Sequence, residues 1–299
     1  QEREAEREVH NKQLAEALQA AQIANNSKTM FLSNMSHDIR TPMNAVLGFA
    51  RLLDIDAENP DKVREYTKKI MSSGQHLLGL INDVLDVSKI ESGKVVLTFD
   101  KFTLADLLSA VETIVQPMAK AKKQHFHTEV LGVKYEYLIG DETRLNQILI
   151  NLLSNAIKYT QPGGEITVSL STANSLKSGG VSSVIRVTDT GIGLDPRNLD
   201  KIFTRFYRGR ENHTAGTAGV GIGLDLCRRL TELHHGTISG RNRTDGIRGS
   251  EFTVTIPVSE SAYAPSELQR EHDNEEETTG YASIRNDRNI VGNDLTTPD

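Results

Sequence analysis

Seven apolar residues at alternating spacings of three and four, Leu32, Met35, Ile39, Pro42, Val46, Phe49 and Leu53, commit the start of this chain to a helix with one buried seam. Carried backwards, the register falls on Lys28, Asn25, Ala21, Leu18 and Leu14, so the seam continues with a polar interruption at Asn25 and Lys28. Residues 1–29 are rich in helix formers and read as a signal-carrying input rod. Asn59-Pro60-Asp61 is a break and restart, with proline at a first helical position. A second seam then runs through Val63, Tyr66, Ile70, Ser73, Leu77, Leu80, Val84 and Val87, is widened by Leu78, Ile81 and Leu85, and closes at Ser92-Gly93. One such hairpin buries little by itself. Two hairpins back to back make a four-helix bundle, so a homodimer is expected through residues 30–93.

From Lys94 the apolar period changes. Val95–Phe99, Phe126–Val130, Ile166–Leu170, Val184–Thr188, Thr237–Ser239 and Phe252–Ile256 read as strands, and stretches 103–122, 141–159, 196–204 and 222–235 as helices. Together they imply one α/β domain over 94–258, a mixed sheet covered by helices on one face. Residues 259–299 hold ten acids against three bases and only five Leu, Ile, Val or Phe residues. They read as an acidic disordered tail or linker, with a short docking segment as the alternative. The tail outweighs the formal net charge of −6; the rest of the chain has 31 bases and 30 acids and gives no argument for a nucleic-acid partner. The single cysteine, Cys227, excludes a disulfide framework. No apolar run nears the ~18 residues of a membrane span, so no membrane contact is expected of this segment and a cytoplasmic location is. Gln1 and the lack of a signal-peptide pattern suggest a piece excised from a longer protein.

His37 falls midway between Met35 and Ile39, away from the seam, with Asp38 beside it and Thr41 one turn on. An exposed neutral imidazole is a nucleophile near pH 7, and an adjacent carboxylate can orient it or take its proton. Pro42 removes an N–H from the helix and should kink it there. On the 141–159 helix, Ile148, Leu149, Leu152, Leu153 and Ala156 supply an apolar face, and Asn151, Asn155, Lys158 and Tyr159 lie roughly opposite. An amide oxygen suits Mg²⁺, and a lysine one turn away can meet the same phosphates. Asp189-Thr190-Gly191-Ile192-Gly193-Leu194 follows a strand, where glycines let backbone approach a ligand and the carboxylate can accept from an exocyclic amino group, favouring adenine over guanine. Gly219-Val220-Gly221-Ile222-Gly223-Leu224 opens a helix whose amides can bind phosphate. The polar segment 209–218 is expected to be a mobile lid. The other histidines read as structural or surface residues, with His234-His235 ending a helix where a cation suits the dipole.

The run Phe31-Leu32-Ser33-Asn34-Met35-Ser36-His37-Asp38-Ile39-Arg40-Thr41-Pro42 closely resembles the H box of two-component sensor histidine kinases. The clusters from Asn151, from Asp189, from Phe203-Thr204-Arg205-Phe206-Tyr207-Arg208 and from Gly219 resemble, in order, the N, G1, F and G2 boxes of that family, and Gly249-Ser250-x-Phe252 its final glycine motif. The resemblance covers about residues 30–257. It implies an α plus α/β chain: a dimeric four-helix-bundle phosphoacceptor domain followed by a Bergerat-type α/β sandwich that binds ATP. By resemblance His37 accepts the γ-phosphoryl group, Asp38 is the base and Thr41 positions water for dephosphorylating the partner. Asn155 binds Mg²⁺, Asn151 supports the site, Lys158 and Arg208 approach the phosphates, Tyr159 packs near the base and Asp189 reads adenine. Gly191, Gly193, Gly219, Gly221 and Gly223 form the nucleotide loops. The implied activity is a protein-histidine kinase, which can also be a phosphatase, with ATP and Mg²⁺ as cofactors and a response regulator receiver domain as partner. Whether the chain is part of a hybrid kinase stays open. A nonkinase ATPase of the same superfold needs a Glu where this chain has Asn151, and a noncatalytic scaffold would have lost the histidine or the glycine motifs, both of which are present.

Overall fold

The computed structural model describes residues 2–132, 137–174, 181–205, 207, 221–258 and 260–268. Helix α1, Glu2–Ile55, runs without interruption through Pro42, which is buried. Helix α2, Pro60–Glu91, starts at an Asn59 N-cap that accepts from Lys62 N at 3.2 Å. The turn between them is clamped by Asp56, whose carboxylate accepts from Lys62 Nζ at 2.8 Å and Tyr66 OH at 3.0 Å, while Tyr66 stacks on Phe49. Every residue of the second seam is buried or half-buried, because it faces α1. Leu78, Ile81 and Leu85, on the widened side, stay exposed, as do Met43, Leu47, Leu52 and Met71, so the hairpin carries a second apolar face that it does not cover itself.

The rest is a five-stranded sheet of order β2-β4-β5-β7-β6, made of β2 (His125–Leu131), β4 (Glu165–Asn174), β5 (Val181–Asp189), β6 (Thr237–Asn242) and β7 (Ser250–Pro257). Among the described residues, β2–β4 is the only parallel pair of this sheet. Helices α3 (Leu104–Ala121), α4 (Glu142–Tyr159) and α5 (Gly223–Leu233) cover one face, as the sequence implies. Alternation explains the burial. Ile166, Val168 and Leu170 on β4, Ile185 and Val187 on β5, and Phe252, Val254 and Ile256 on β7 point the same way and meet across the ladder. Leu145, Ile148, Leu149, Leu152, Leu153, Ala156 and Ile157 of α4 close over them. Each large side chain so buried stabilises by about 1.5–3 kcal/mol. Met35, Leu80 and Val87 of the hairpin belong to the same continuous core.

Two expected elements differ. Residues 95–99 form no strand: Leu97 is buried and Phe99 packs on the rings of His234 and Tyr263, so the apolar run serves side-chain packing rather than a ladder. The strand signals here are instead β1 (Asp100–Thr103) and β3 (Tyr137–Gly140), a separate antiparallel pair that the sequence reading missed. Residues 196–204 are not an α-helix. A three-residue 3-10 turn (Pro196–Asn198) passes into successive turns, with N–H groups of Lys201, Thr204 and Tyr207 each bonded three residues back, which buries Ile202. Residues 260–268, assigned by composition to the tail, pack on the domain: Tyr263 is buried with its hydroxyl 3.2 Å from the carbonyls of Ile139 and Pro257. They end in α6 (Pro265–Leu268). The expectation of disorder for the remainder of the tail, and that of a mobile lid at 209–218, lie outside the described residues.

His234 also differs from its expected role as a cation at a helix end. It is fully buried; Nδ1–H donates to Leu230 O at 2.7 Å and Nε2 accepts from Asp141 N at 3.1 Å. Burial holds its pKa below the ordinary imidazole value, so it is neutral. The unfolded chain therefore takes up a proton at higher pH than the folded one. The contribution of His234 to stability is complete above about pH 6.5 and is lost as pH falls towards its folded value. Urea unfolding of the wild type and His234→Leu between pH 7.5 and 5.5 should show the wild type's advantage shrinking as pH falls; an advantage that is constant or grows would refute the neutral assignment.

Candidate functional site

The first site sits on α1. His37 has 78% of its side chain exposed, whereas Asp38 is buried to 8%. The Nδ1 atom of His37 lies 3.2 Å from Asp38 Oδ1, and Asp38 Oδ2 is buried with no hydrogen-bond partner. In the tautomer this geometry favours, Nδ1–H donates to the carboxylate and Nε2 turns its lone pair to solvent. The carboxylate keeps acceptor capacity in reserve for the imidazole proton. Thr41 Oγ1 donates to the carbonyl of His37 at 3.1 Å, which leaves its lone pairs open. The three residues named from the sequence are thus brought together, and the burial of Asp38 beneath an exposed histidine is what spacing alone did not reveal.

The second site is assembled where α4 ends. Asn151, Asn155, Lys158 and Tyr159 are all half-buried along one side of α4. Its first turn is capped by Asp141, which accepts from Arg144 N at 3.0 Å, and its last carbonyls are met by Gln124 Nε2, at 2.9 Å from Ile157 O and 2.5 Å from Thr160 O. Lys158 lies over the ring of Tyr159. The Tyr159 carbonyl accepts from Ile192 N at 3.3 Å, which joins α4 to the glycine loop. A Cβ on Gly191 would come within 2.6 Å of that same carbonyl, so the loop can pass here only as glycine.

Asp189 ends the core-facing row of β5 and is 4% exposed. Its Oδ1 accepts from Gly191 N at 2.8 Å and Ser250 N at 3.3 Å, and its Oδ2 accepts from the Ser250 hydroxyl. A buried carboxylate so fully met by donors is fixed in place and stays an acceptor. Gly249 has φ +154 and a Cβ on it would lie 1.8 Å from Asp189 O. Ser250 stands in the final glycine motif, and its partner lies 61 residues away in sequence, so only the fold reveals its role.

Gly221 has φ +72, and a Cβ on Gly223, at the start of α5, would lie 3.9 Å from Asn151 Cγ. Gly223 and Asn151 therefore face one another across α4 and α5. Arg208 and Gly219 lie outside the described residues. Asn151 Nδ2 is buried and finds no acceptor of normal geometry. Beside it, burial pushes the Cys227 thiol up to about 12, so that thiol is inert. Among the described residues no group of three or more His, Cys, Asp or Glu side chains could hold a metal. The half-buried Asn155 and Asn151 offer amide oxygens, a donor chemistry that fits a Mg²⁺ completing its shell with water and phosphate. Among the described residues no helix is long and apolar enough to cross a membrane.

Comparison with known proteins shows the family. Residues 27–93 match the family model of the His Kinase A (phospho-acceptor) domain, and residues 140–260 that of the histidine kinase-, DNA gyrase B- and HSP90-like ATPase. Over 228 residues the chain is 38% identical to the autoinducer 2 sensor kinase/phosphatase LuxQ of Vibrio vulnificus, covering 76% of this chain and 26% of LuxQ. It is 39% identical to the sensor histidine kinase GacS of Pseudomonas protegens over 249 residues, 83% of this chain and 27% of GacS. The chain thus spans about a quarter of the length of these relatives. The crystal structure of full-length ShkA in complex with AMPPNP superposes with a TM-score of 0.56 at 30% identity, covering 76% of this chain and 45% of ShkA.

Because a Cβ at position 249 collides with backbone, Gly249→Ala should displace Asp189 and cost more than about 1–3 kcal/mol of stability, the range for a single strained backbone residue. Ser250→Ala should cost about 1–3 kcal/mol by leaving the Asp189 carboxylate short of a donor. Chemical denaturation with a titration of a nonhydrolysable ATP analogue checks both: stability and affinity should fall together, and a Gly249→Ala protein of unchanged stability would contradict the geometry.

Proposed function

Because this chain belongs to the sensor histidine kinases, joining their phosphoacceptor domain to their ATPase domain, we propose that it transfers the γ-phosphoryl group of ATP to Nε2 of His37 and passes it on to an aspartate of a response regulator receiver domain. The observation that carries the reading is the pairing of an exposed His37 with the buried carboxylate of Asp38. Asp38 holds the proton on Nδ1, Nε2 attacks the γ-phosphorus, the bond from that phosphorus to the β–γ bridging oxygen breaks, and ADP leaves. The proton on Nδ1 then passes to or is shared with Asp38. Phosphoryl transfer of this kind needs positioning and charge neutralisation more than covalent help from the protein.

In the pocket, Asp189 accepts the exocyclic amine of adenine, Tyr159 packs near the base, and the loops of Gly191, Gly193, Gly219, Gly221 and Gly223 bring backbone to the nucleotide. Lys158 and Arg208 approach the phosphates. Asn155 would hold Mg²⁺, with Asn151 supporting it; when bound, the ion supplies charge neutralisation at the phosphates. We assign 1–29 to the input helix, 30–93 to the dimerising phosphoacceptor hairpin, 94–258 to the catalytic domain, with residues 260–268 packed on it, and the rest of 259–299 to the tail. The exposed Met43, Leu47, Leu78, Ile81 and Leu85 support a homodimer through the hairpin. A cytoplasmic location follows from the need for ATP.

Thr41 supports a further reading, that the chain also dephosphorylates its regulator. Its hydroxyl proton is committed to the His37 carbonyl, so its lone pairs can accept and orient a water beside the histidine. The similarity to LuxQ, named a sensor kinase/phosphatase, agrees.

Incubation with γ-labelled ATP should give acid-labile, alkali-stable label on the wild type and none on His37→Gln. Asp38→Asn should slow labelling about a hundredfold or more. Label that persists in His37→Gln would reject the site. Thr41→Ala should keep kinase activity and lose dephosphorylation of the regulator; unchanged dephosphorylation would reject the second reading.

A further inference from the structure

The glycine loop after Asp189 belongs to no strand or helix, so its shape must be set by side chains around it. One side chain meets it twice. Asn242 Oδ1 accepts from Leu194 N at 2.6 Å and Asn242 Nδ2 donates to Leu194 O at 2.8 Å. The same amide oxygen presses on Gly193, which has φ +76; a Cβ there would lie 2.8 Å from it. Asn242 is the last residue of β6, and its partner across the ladder to β7 is Ser250. Ser250 is the residue that grips the Asp189 carboxylate. One rung of the sheet therefore carries two grips, one on the carboxylate and one on the loop that follows it. Arg248 Nε adds a donor to Ile192 O at 3.1 Å.

We propose that Asn242 is a positioning residue for the nucleotide: it fixes the Gly191–Leu194 loop at a set distance from Asp189, so that the base-reading carboxylate and the loop backbone present to one ligand together. This rests on the reading of the site as an ATP pocket. Asn242 itself touches no substrate. An amide is needed because the loop offers a donor and an acceptor on one residue, and only Asn or Gln supplies the complementary pair on one side chain. Loss of either bond leaves the loop free to relax away from Asp189, which weakens nucleotide binding without touching the chemistry at His37.

The test is a titration of the full chain with ADP, together with autophosphorylation at varied ATP, for the wild type, Asn242→Ala, Asn242→Asp and Arg241→Ala. Aspartate keeps the near-identical shape and the acceptor for Leu194 N, but sets a carboxylate oxygen against the Leu194 carbonyl in place of the donor, so it breaks the pair without the cavity that alanine leaves. Arg241 is exposed on the same strand end and is paired with Glu251, so it reports any merely structural role of that end. Asn242→Ala and Asn242→Asp should each raise the Kd for ADP and the KM for ATP about tenfold, with kcat at saturating ATP and the behaviour of Arg241→Ala both unchanged. Asn242 variants that bind ADP as tightly as the wild type would overturn the assignment. So would a fall in kcat shared by Arg241→Ala. A wild type that does not bind ADP would overturn the ATP-pocket reading itself, and the positioning role with it.

Discussion

Helix α4 is held at both ends by side chains from elsewhere in the fold, and the nucleotide site depends on that restraint. At its start the Asp141 N–H bonds to the buried His234 ring while the Asp141 carboxylate caps Arg144 N. At its end Gln124 and Lys122 bond the Ile157 carbonyl. Between the two, seven buried residues lock the helix to the sheet. The half-buried Asn151, Asn155, Lys158 and Tyr159 therefore have little freedom to shift along or around the axis. Tyr159 extends the restraint to the glycine loop through its carbonyl, and from there it reaches Asp189, Ser250 and Asn242.

The same helix ties the two halves of the chain together. Asp86 on α2 accepts from Arg144 Nη1 at 3.0 Å and Gln147 Nε2 at 2.8 Å, both on the first turns of α4, and Glu91 pairs with Arg205. Asp83, one turn before Asp86, is half-buried here, and burial together with the Asp86 charge pushes its pKa up to about 6. Leu80 and Val87 of the same helix join the core of the ATPase domain. The phosphoacceptor hairpin and the catalytic domain thus meet on α2, while His37 stands exposed on α1.

What could be read from the sequence was what local spacing decides. The α2 seam, the apolar face of α4 and the exposed side of α1 follow from 3.6-residue periodicity, and Asp189 with its glycines forms one short run. What escaped depended on contacts between distant residues. Asn242 meets Leu194 across 48 positions, and Asp141 meets His234 across 93. Val95–Phe99 is apolar because Leu97 and Phe99 are packed against the domain, which period alone cannot separate from strand pairing. The stretch from Pro196 has helical apolar spacing, yet its bonds run three residues back, since the chain must bury Ile202 while turning. Local sequence suits His234 to a charged helix end, and nothing local reveals that Gly140 and Asp141 enclose it.

The central claim is that Asp38 holds the proton of His37 on Nδ1 and leaves Nε2 as the nucleophile. Two-dimensional NMR of the chain labelled with ¹⁵N in its histidines, recorded after reaction with ATP, locates the new N–P bond directly. The expected spectrum shows one phosphorylated histidine, His37, with phosphorus coupled to Nε2. Coupling to Nδ1, or phosphorus on any other histidine, would contradict it.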